Sequence, residues 1–266
     1  MRPGELIAGR YQCLDLAGRG GMGSVFHGVD RDTDRPVAIK LLNEGALSAQ
    51  ARARLHREAE ILGRLDHPRI VSYIAHGDTE AGVPYLVMEW LDGEELSRRL
   101  RRGPLGPDEA LALARGVVDG LAAAHAAGVV HRDIKPSNLF LRGGDPAAVA
   151  IFDFGIARLL QAPRATQTGA LVGTPGYLAP EQARGERAID GRADIFSLGC
   201  VLYECLTGRP AFAGEHVMAV LAKILLDDVW PVSSIVSVPR GLDRLISRAL
   251  TKDPAGRPAD GQALAA

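Results

Sequence analysis

Two short segments of the sequence collect side chains that can bind and move a phosphoryl group. Residues 131–138 read His-Arg-Asp-Ile-Lys-Pro-Ser-Asn, and residues 151–155 read Ile-Phe-Asp-Phe-Gly. Asp133 can accept the proton of an attacking hydroxyl, and Lys135 can neutralise charge on a phosphoryl group in transit. Asn138 can offer an amide oxygen to Mg²⁺, a cation that takes oxygen ligands. We call residues 131–138 the catalytic segment.

Asp153 makes a plain surface loop an insufficient explanation of these two segments. A polar loop would account for the catalytic segment taken alone. Asp153 lies among apolar residues, however, and a carboxylate in such surroundings is costly unless it meets a cation. Mg²⁺ is the expected cation, so Asp153 is a second candidate ligand beside Asn138.

A glycine-rich stretch near the start of the chain is a candidate phosphate-binding loop. Residues 18–23 follow the pattern Gly-x-Gly-x-x-Gly, which fits a dinucleotide fingerprint, a hairpin that covers a nucleotide, or a merely flexible turn. A dinucleotide fold needs a helix directly after the glycines, whereas residues 24–29 alternate as a strand does. We therefore expect a hairpin whose glycine backbone can approach phosphate oxygens, with a structural turn as the alternative.

Lys40 is the candidate cation for the phosphates. It lies in the apolar run 37–42, whereas most lysines are solvated surface charges. An ammonium group in such a setting needs an anion, and the amphipathic segment 48–65 carries two glutamates. Glu58 borders the apolar face of that segment and is the favoured partner, with Glu60 as the alternative.

The segments that must position these residues change character along the chain. Alternating or continuous apolar runs predict strands over 11–17, 24–29, 37–42, 70–75 and 85–90. Helical periodicity predicts helices over 48–65, 107–128, 194–207, 217–225 and 241–250. A strand-rich first third and a helix-rich remainder predict an α+β fold with two lobes that share a cleft, divided near residues 90–93.

The overall composition is typical of an ordinary globular protein. The 266 residues are 47% hydrophobic and 24% charged, with a net charge of −1, so we expect neither nucleic acid nor an anionic membrane as the main partner. Three cysteines without a Cys-x-x-Cys pair predict buried, free thiols in a reducing compartment. The most apolar helical stretch, residues 195–206, is shorter than the roughly 20 residues that span a bilayer. These features predict a cytoplasmic location.

Taken in order, these segments resemble the signature set of the eukaryotic-like (Hanks-type) protein kinases, and especially their bacterial Ser/Thr branch. The segments that carry the resemblance are 18–25, 37–40, 131–138, 153–155 and 179–181. The resemblance implies a bilobal kinase fold over residues 11–266. It implies an N-lobe of antiparallel strands with one helix over about 11–89, a hinge over 89–93, and a mostly helical C-lobe over 94–266. Because the chain stops inside a predicted helix, we expect the domain to continue beyond Ala266.

The resemblance implies ATP as the phosphate donor, with Mg²⁺ or Mn²⁺ as the metal. Asp133 would be the catalytic base, and Lys135 would steady the γ-phosphate. Asn138 and Asp153 would hold the metal.

The resemblance also implies which residues surround the nucleotide. Lys40 would contact the α- and β-phosphates and pair with Glu58. Met88 would be the gatekeeper, residues 89–91 would bond adenine through their backbone, and Glu95 would reach the ribose or a basic substrate side chain. The ATP-site residues assigned on this basis are Leu16, Ala17, Gly18, Arg19, Gly20, Gly21, Met22, Gly23, Ser24, Val25, Ala38, Lys40, Glu58, Met88, Glu89, Leu91, Glu95 and Phe140.

Other matched residues are expected to support the site. The resemblance implies that Glu181 pairs with Arg257 and that Asp194 anchors the backbone of the catalytic segment. The side chains expected to stack between the lobes are His131, Phe154 and Leu62.

Two details of the resemblance favour Ser/Thr over Tyr as the acceptor. Lys135 lies two residues after Asp133, and residues 173–177 read Gly-Thr-Pro-Gly-Tyr. In that version of the loop Thr174 would hydrogen-bond near Asp133 and Lys135.

Arg132 predicts regulation by phosphorylation. In the family, an arginine directly before the catalytic aspartate marks kinases that are switched on by phosphorylation of the activation loop, because the arginine binds the phosphate. Thr166 and Thr168 lie in an irregular Thr-rich stretch and are the expected autophosphorylation sites, with Arg132 and Arg158 as partners. A plain Thr-rich linker is the alternative.

The expected function is ATP-dependent phosphorylation of Ser and Thr hydroxyls in proteins. The alternatives are a pseudokinase that acts as a nucleotide-dependent binding module and a small-molecule kinase on the same fold. The expected partners are protein substrates and a second copy of the chain, in a homodimer for trans-autophosphorylation. The chain itself carries no predicted membrane segment, and it can belong to the cytoplasmic part of a longer membrane-anchored protein.

Overall fold

The computed structural model describes residues 4–20, 23–42, 49–154 and 175–265. These residues form two units. The first takes the described residues up to His67 together with Val71–Asp92. The second takes Pro68–Ile70 and the described residues from Gly93 onward.

The first unit is an antiparallel sheet of six strands with one helix. The strands run in the order β1-β2-β3-β4-β6-β5, so the chain crosses over once, where β6 inserts between β4 and β5. The elements are β1 Leu6–Ile7, β2 Tyr11–Gly20, β3 Gly23–Asp30, β4 Arg35–Leu42, α1 Ala49–Leu62, β5 Tyr73–Asp78 and β6 Pro84–Glu89.

One face of this sheet forms the apolar core of the first unit. Alternate positions of the strands point to the same face, which explains why the apolar residues recur every second position. The buried members of this core are Ile7, Tyr11, Cys13, Phe26, Val37, Ile39, Tyr85 and Val87. The opposite face of β3, β4 and β6 is therefore the face that carries Val25, Ala38 and Lys40.

The second unit is mostly helical and also contains a small sheet. Its helices are α2 Leu96–Leu100, α3 Pro107–Ala126, α4 Pro180–Ala183, α5 Arg192–Thr207, α6 Val217–Leu226, α7 Arg240–Ala249 and α8 Gly261–Ala265. Its strands β7 Gly93–Glu95, β8 Leu139–Arg142 and β9 Val149–Ile151 form an antiparallel sheet in that order.

Local sequence explains where the long helices begin and end. Helix α3 begins at Pro107, whose fixed φ suits the first helical position, and the Glu109 side chain accepts a hydrogen bond from the Gly106 N–H at 2.9 Å. Helix α5 ends at Gly208, which has a positive φ of 69°. Helix α5 is buried on nearly all sides, which accounts for its continuous apolar sequence.

Two sequence-based predictions differ from the structure. The strand predicted over residues 70–75 lies over Tyr73–Asp78 instead. The apolar pair Ile70 and Val71 suggested an earlier start, but Ile70 forms an isolated parallel bridge with Ile151. The region after residue 94 is mostly helical, as predicted, but β7, β8 and β9 were missed because strands of three or four residues carry too little periodicity.

Two other predictions concern the cysteines and the membrane. Cys13, Cys200 and Cys205 are buried and free, as expected. Burial raises the pKa of the Cys200 and Cys205 thiols, so both are inert neutral groups of the core. No helix among the described residues combines the length and apolar character needed to cross a bilayer.

Candidate active site

Asp133 lies at the centre of a hydrogen-bond network within the catalytic segment. Its Oδ2 accepts hydrogen bonds from Lys135 Nζ at 2.7 Å and from Asn138 Nδ2 at 3.1 Å. Asn138 Nδ2 also donates to the backbone oxygen of Asp133 at 2.8 Å. Both partners hold the same carboxylate oxygen, and no hydrogen bond among the described residues uses Asp133 Oδ1.

The buried carboxylate of Asp194 holds the start of the catalytic segment. Its Oδ1 accepts from the Arg132 N–H at 2.7 Å, and its Oδ2 accepts from the His131 N–H at 2.8 Å. His125 Nε2 lies 2.9 Å from the same Oδ2. Asp194 is fully buried, and these donors replace the hydrogen bonds to water that its carboxylate loses on burial. The anchoring contact that the resemblance implied is present.

His131 connects the catalytic segment to the segment that carries Asp153. The N–H of Asp133 donates to His131 Nδ1 at 3.2 Å, so Nδ1 must carry the lone pair. The proton then lies on Nε2, which donates to the Phe152 oxygen at 3.1 Å. The His131 ring also packs against Phe154, with ring centroids 4.6 Å apart. Two of the three residues expected to stack are therefore in contact within the second unit.

Arg132 and Asp153 adopt the left-handed backbone region that side chains other than glycine rarely occupy. Their φ angles are 65° and 59°. Such conformations cost on the order of 1–3 kcal/mol each and persist where surrounding contacts impose them. For Arg132 those contacts are its N–H bond to Asp194 and a hydrogen bond from Gln182 Nε2 to its backbone oxygen at 2.9 Å.

Strands β8 and β9 bring Asn138 and Asp153 to one end of the small sheet. Asn138 directly precedes β8, Asp153 follows β9 by two residues, and the strands are antiparallel with Leu139 opposite Ile151. A hydrogen bond from the Phe152 N–H to the Asn138 oxygen at 3.2 Å extends this pairing. Because Asn138 directs its amide N–H groups at Asp133, its amide oxygen is the ligand atom that it can offer. An amide and a carboxylate oxygen suit Mg²⁺, which completes its shell with water and substrate phosphates.

In the first unit the glycine-rich stretch forms a hairpin, as predicted. Gly18 pairs with Val25, Arg19 with Ser24, and Gly20 with Gly23, so β3 follows the glycines directly and no helix does. A dinucleotide fingerprint is thereby excluded. Gly23 has a positive φ of 154°, and a Cβ there would lie 1.9 Å from the Leu41 oxygen.

The register of β3, β4 and β6 gathers candidate nucleotide residues on one face of the sheet. Val25 is opposite Lys40, and Ala38 is opposite Met88. Residues directly opposite each other on antiparallel strands point to the same face, and so do positions two apart. Lys40 is 7% exposed, so its ammonium is largely shielded from water.

The remaining candidates for the nucleotide site lie at the edges of these elements. Glu58 lies on α1 and is half-buried, and Glu60 is exposed and accepts a hydrogen bond from Arg64 at 2.8 Å. The Glu89 side chain accepts from the Ser72 N–H at 2.9 Å at the end of β6. Leu16 and Ala17 are exposed on β2, and Leu91 follows β6. In the second unit Glu95 is opposite Phe140 in the β7–β8 pair.

Comparison with known families agrees with this arrangement. The family described as "Protein kinase domain" matches residues 11–266 of the chain. The chain belongs to the protein kinase family. Its α+β fold, predicted above, is confirmed as the protein kinase fold.

Relatives with similar sequences are bacterial kinases. Serine/threonine-protein kinase PknD of Mycobacterium tuberculosis is 42% identical over 253 residues, which cover 94% of this chain and 38% of PknD. Serine/threonine-protein kinase pkn3 of Myxococcus xanthus is 36% identical over 274 residues, which cover 99% of this chain and 50% of pkn3. The kinase chain thus spans half or less of the length of these two relatives.

Solved structures show the same fold. The crystal structure of the Mycobacterium tuberculosis PknI kinase domain matches with a TM-score of 0.77 and 26% identity, covering 100% of this chain and 96% of that one. Rad53 1–466 in complex with AMP-PNP matches with a TM-score of 0.79 and 27% identity, covering 96% of this chain and 64% of that one.

Within the second unit of this kinase, Arg257 and Glu181 form the buried ion pair that the resemblance implied. The two guanidinium NH₂ groups donate to the two Glu181 oxygens at 2.8 and 3.0 Å. The other donors reach the backbone oxygens of Thr251 at 2.6 Å, Arg192 at 3.1 Å and Lys252 at 2.8 Å. All five N–H donors of Arg257 are therefore used, which is what a buried guanidinium requires.

Two supporting side chains of the candidate site, Gln182 and His125, were not predicted from the sequence. Gln182 bridges Arg132 and Ala179, because its amide oxygen accepts from the Ala179 N–H at 3.0 Å. His125 accepts from the Gly261 N–H at 3.3 Å through Nδ1, which leaves the proton on the Nε2 that faces Asp194. The only sequence feature that could have indicated Gln182 is its position directly after the matched Glu181.

Tyr177 is another supporting residue whose contacts were missed. Its hydroxyl donates to Glu204, and its backbone oxygen accepts from Ser197 Oγ at 2.7 Å. Burial and the bond to the Glu204 carboxylate raise the pKa of the Tyr177 hydroxyl above its usual range, so it remains a neutral donor. These contacts tie residues 175–177 to helix α5.

Several predicted site residues lie outside the part of the chain that the structure describes. They are Gly21, Met22, Gly155, Arg158, Thr166, Thr168 and Thr174. A cavity of about 390 Å³ in the second unit is a different place, since its lining includes Tyr203, Trp230 and Ile246 and none of the catalytic segment.

Proposed function

We propose that this chain transfers the γ-phosphate of ATP to Ser or Thr hydroxyls of proteins. The observation that carries the proposal is the Asp133 network, in which Lys135 and Asn138 both bind Oδ2. A carboxylate held through one oxygen keeps the other for the hydroxyl of an incoming side chain. Membership of the protein kinase family supports the same reaction.

In the proposed reaction Asp133 orients the acceptor hydroxyl and takes its proton as the new oxygen–phosphorus bond forms. The bond between the γ-phosphorus and the oxygen bridging to the β-phosphate breaks, and ADP leaves. Lys135, which lies 2.7 Å from Asp133, neutralises charge on the phosphoryl group in transit. The bonds from Asp194 to the backbone of residues 131 and 132 keep Asp133 in position throughout.

The metal proposed for this reaction is Mg²⁺, with Mn²⁺ as a substitute. Asn138 Oδ1 and the Asp153 carboxylate would hold it. When bound, the ion neutralises charge on the phosphate oxygens. Asn138 is suited to this task because two hydrogen bonds to Asp133 fix its amide.

The hairpin glycines and Lys40 support nucleotide binding by the first unit. A Cβ on Gly18 or Gly20 would meet no atom of the described residues within 4 Å, so packing within the described part of the chain explains Gly23 but not the other two glycines. Close approach of a phosphate would explain these two. Lys40 would contact the α- and β-phosphates with Glu58 as its partner, and the other residues of the ATP site keep the roles given above.

Proteins are proposed as the acceptors because the relatives PknD and pkn3 are named serine/threonine-protein kinases. Lys135 follows Asp133 by two residues, as in the Ser/Thr branch. Lys40, Asp133 and Asp153, whose loss marks pseudokinases, are all present, and no observation favours a second function.

The decisive experiment measures phosphate transfer from labelled ATP to the chain itself and to a generic protein acceptor. We expect transfer that requires Mg²⁺ or Mn²⁺ and falls about 10²–10⁴-fold in Asp133→Asn, the range typical of a lost general base. Asp153→Asn should abolish metal-dependent transfer. Asp228→Asn is the control, since this exposed aspartate lies far from the catalytic segment in sequence and outside its hydrogen bonds. Full transfer by Asp153→Asn, or transfer in excess chelator, would contradict the proposal.

Regulation by phosphorylation is part of the proposal. We propose that Thr166 and Thr168 are autophosphorylated and that Arg132 and Arg158 bind the phosphates. A homodimer would allow one copy to modify the other, and phosphosite mapping tests both statements. A cytoplasmic location stays a prediction from the sequence.

A further inference from the structure

A carboxylate at the end of β5 binds helix α1 at two successive turns. Asp78, the last residue of β5, accepts a hydrogen bond from Arg52 NH1 at 2.7 Å through Oδ1. Its Oδ2 lies 3.3 Å from His56 Nε2. Arg52 and His56 are four residues apart and so lie on the same side of the helix. The Asp78 side chain therefore contacts α1 at two positions that lie one turn apart.

The β5 residues that contact α1 lie in the same cross-strand row as Lys40. His76 lies two residues before Asp78 on the same face of β5, and its ring centroid is 5.4 Å from that of His56. His76 is opposite Leu86 on β6, and Leu86 is opposite Lys40 on β4. Cross-strand neighbours share a face, so the row that meets α1 is the row that carries Lys40.

The sequence of α1 explains why the helix needs an external carboxylate. Its first turn contains no acidic residue, although the N-terminal end of a helix favours negative charge. Among the side chains of α1 that the structure describes, the buried ones are Leu55, Ala59 and Leu62. A helix of 14 residues is stabilised mainly by its tertiary contacts, so the loss of one such contact should destabilise α1.

We propose that Asp78 is a positioning residue for phosphoryl transfer: it fixes α1 on β5 and thereby fixes Glu58 relative to the strand row of Lys40. The inference rests on the proposed function only for its catalytic consequence. Its structural part, the anchoring of α1, stands on the contacts of the first unit alone. Asp78 does not touch the substrate and acts through the helix.

The test compares Asp78→Asn with Glu80→Gln, which removes an exposed charge two residues further along the same hairpin. Amide hydrogen exchange of residues 49–62 is measured first, in the absence of nucleotide. We expect exchange in α1 to be about fivefold faster in Asp78→Asn, the size of effect that one well-formed partly exposed pair supports. Glu80→Gln should match the wild type.

Steady-state kinetics then measure the catalytic consequence. We expect Asp78→Asn to raise KM for ATP and lower kcat/KM by about fivefold, and Asp78→Glu to restore most of the loss. The exchange of charges in Asp78→Arg with Arg52→Asp should also recover both readouts, because it rebuilds the pair in reverse. A merely structural role of Asp78 would lower thermal stability without this rescue of KM.

The outcomes separate this inference from the proposed function. Equal exchange and equal kinetics in Asp78→Asn and Glu80→Gln overturn the inference while the wild type still transfers phosphate. If the wild type transfers no phosphate, the proposed function fails, and the exchange measurement still decides whether Asp78 anchors α1. Faster exchange in Asp78→Asn without any kinetic change overturns the catalytic part.

Discussion

At the scale of single residues, the buried charges of Asp194 and Arg257 in the second unit each have several hydrogen-bond partners. Asp194 receives backbone and imidazole donors, and Arg257 uses all five of its N–H groups. Desolvating a charge costs several kcal/mol, and only a complete set of partners offsets that cost. Asp194 therefore holds the backbone that directly precedes Asp133, the proposed base.

The Glu181–Arg257 pair provides a prediction at this scale. Both side chains are buried, with residue exposures of 4% and 3%. Arg257→Met leaves the Glu181 carboxylate buried without its cation, so we expect the free energy of unfolding to fall by about 3–5 kcal/mol. Chemical denaturation of wild type and variant measures the change.

The control for that prediction is the exposed pair of Arg184 and Glu186. Glu186→Gln should change the free energy of unfolding by less than about 0.5 kcal/mol, because an exposed ion pair is screened by water. If the two substitutions lower the free energy of unfolding equally, burial does not account for the contribution of the Glu181–Arg257 pair.

At the scale of elements, strands β8, β9 and β5 position the candidate site residues. Strands β8 and β9 bring Asn138 and Asp153 to the same end, although 14 residues separate the two in the sequence. Strand β5 meets α1 through His76 and Asp78. A strand pairing in the first case and a helix–strand contact in the second bring together residues that lie far apart in the sequence.

The contact of α1 with β5 predicts a dependence of stability on pH. Burial lowers the pKa of His76 from its ordinary value of 6.5, the charge of His56 lowers it further, and the charge of Glu60 opposes the shift. The unfolded chain therefore binds a proton at His76 more readily than the folded chain does. The stabilising contribution is present above pH 6.5 and is lost as the pH falls below that value.

Urea denaturation at a series of pH values between about 8 and 5 measures this loss. We expect His76→Gln to weaken the decline in stability below pH 6.5, because it removes the group that must charge. His216→Gln, at an exposed position before α6, should leave the decline as it is in the wild type. A decline that is unaltered in His76→Gln would refute the assignment.

At the scale of the whole molecule, the described residues form two units. The positive and negative charges of the full sequence nearly balance. Its net charge is −1, and nothing in that balance directs it towards an anionic polymer. The relatives PknD and pkn3 are longer, and this chain matches 38% and 50% of their lengths.

Phosphorylation between copies is the prediction that belongs to this scale. We expect active wild type to place phosphate on Thr166 and Thr168 of an Asp133→Asn chain that cannot modify itself. Mass spectrometry of the inert chain, marked by a size tag, identifies the sites. The double variant Thr166→Ala with Thr168→Ala is the control and should remain unmodified in the same stretch. Full activity of wild type that carries no phosphate at either threonine would exclude the proposed regulation.

The sequence was sufficient for the chemistry that depends on local order. Asp133, Lys135 and Asn138 lie within six residues, so their contacts follow from a short turn, and the glycine spacing followed by a strand was enough to predict the hairpin. The long helices were predicted correctly because a repeating apolar pattern reports one buried face. Their ends differ from the predicted bounds by at most three residues.

The tertiary structure decided everything that depends on residues far apart in the chain. It showed which donors meet Asp194, which tautomer His131 adopts, and that Gln182 binds the strained backbone of Arg132. It also aligned His76 with Lys40 and brought Asp78 to α1. A sequence pattern records that a side chain is buried or charged, but its partner depends on strand register and helix packing, which arise only when the whole chain folds.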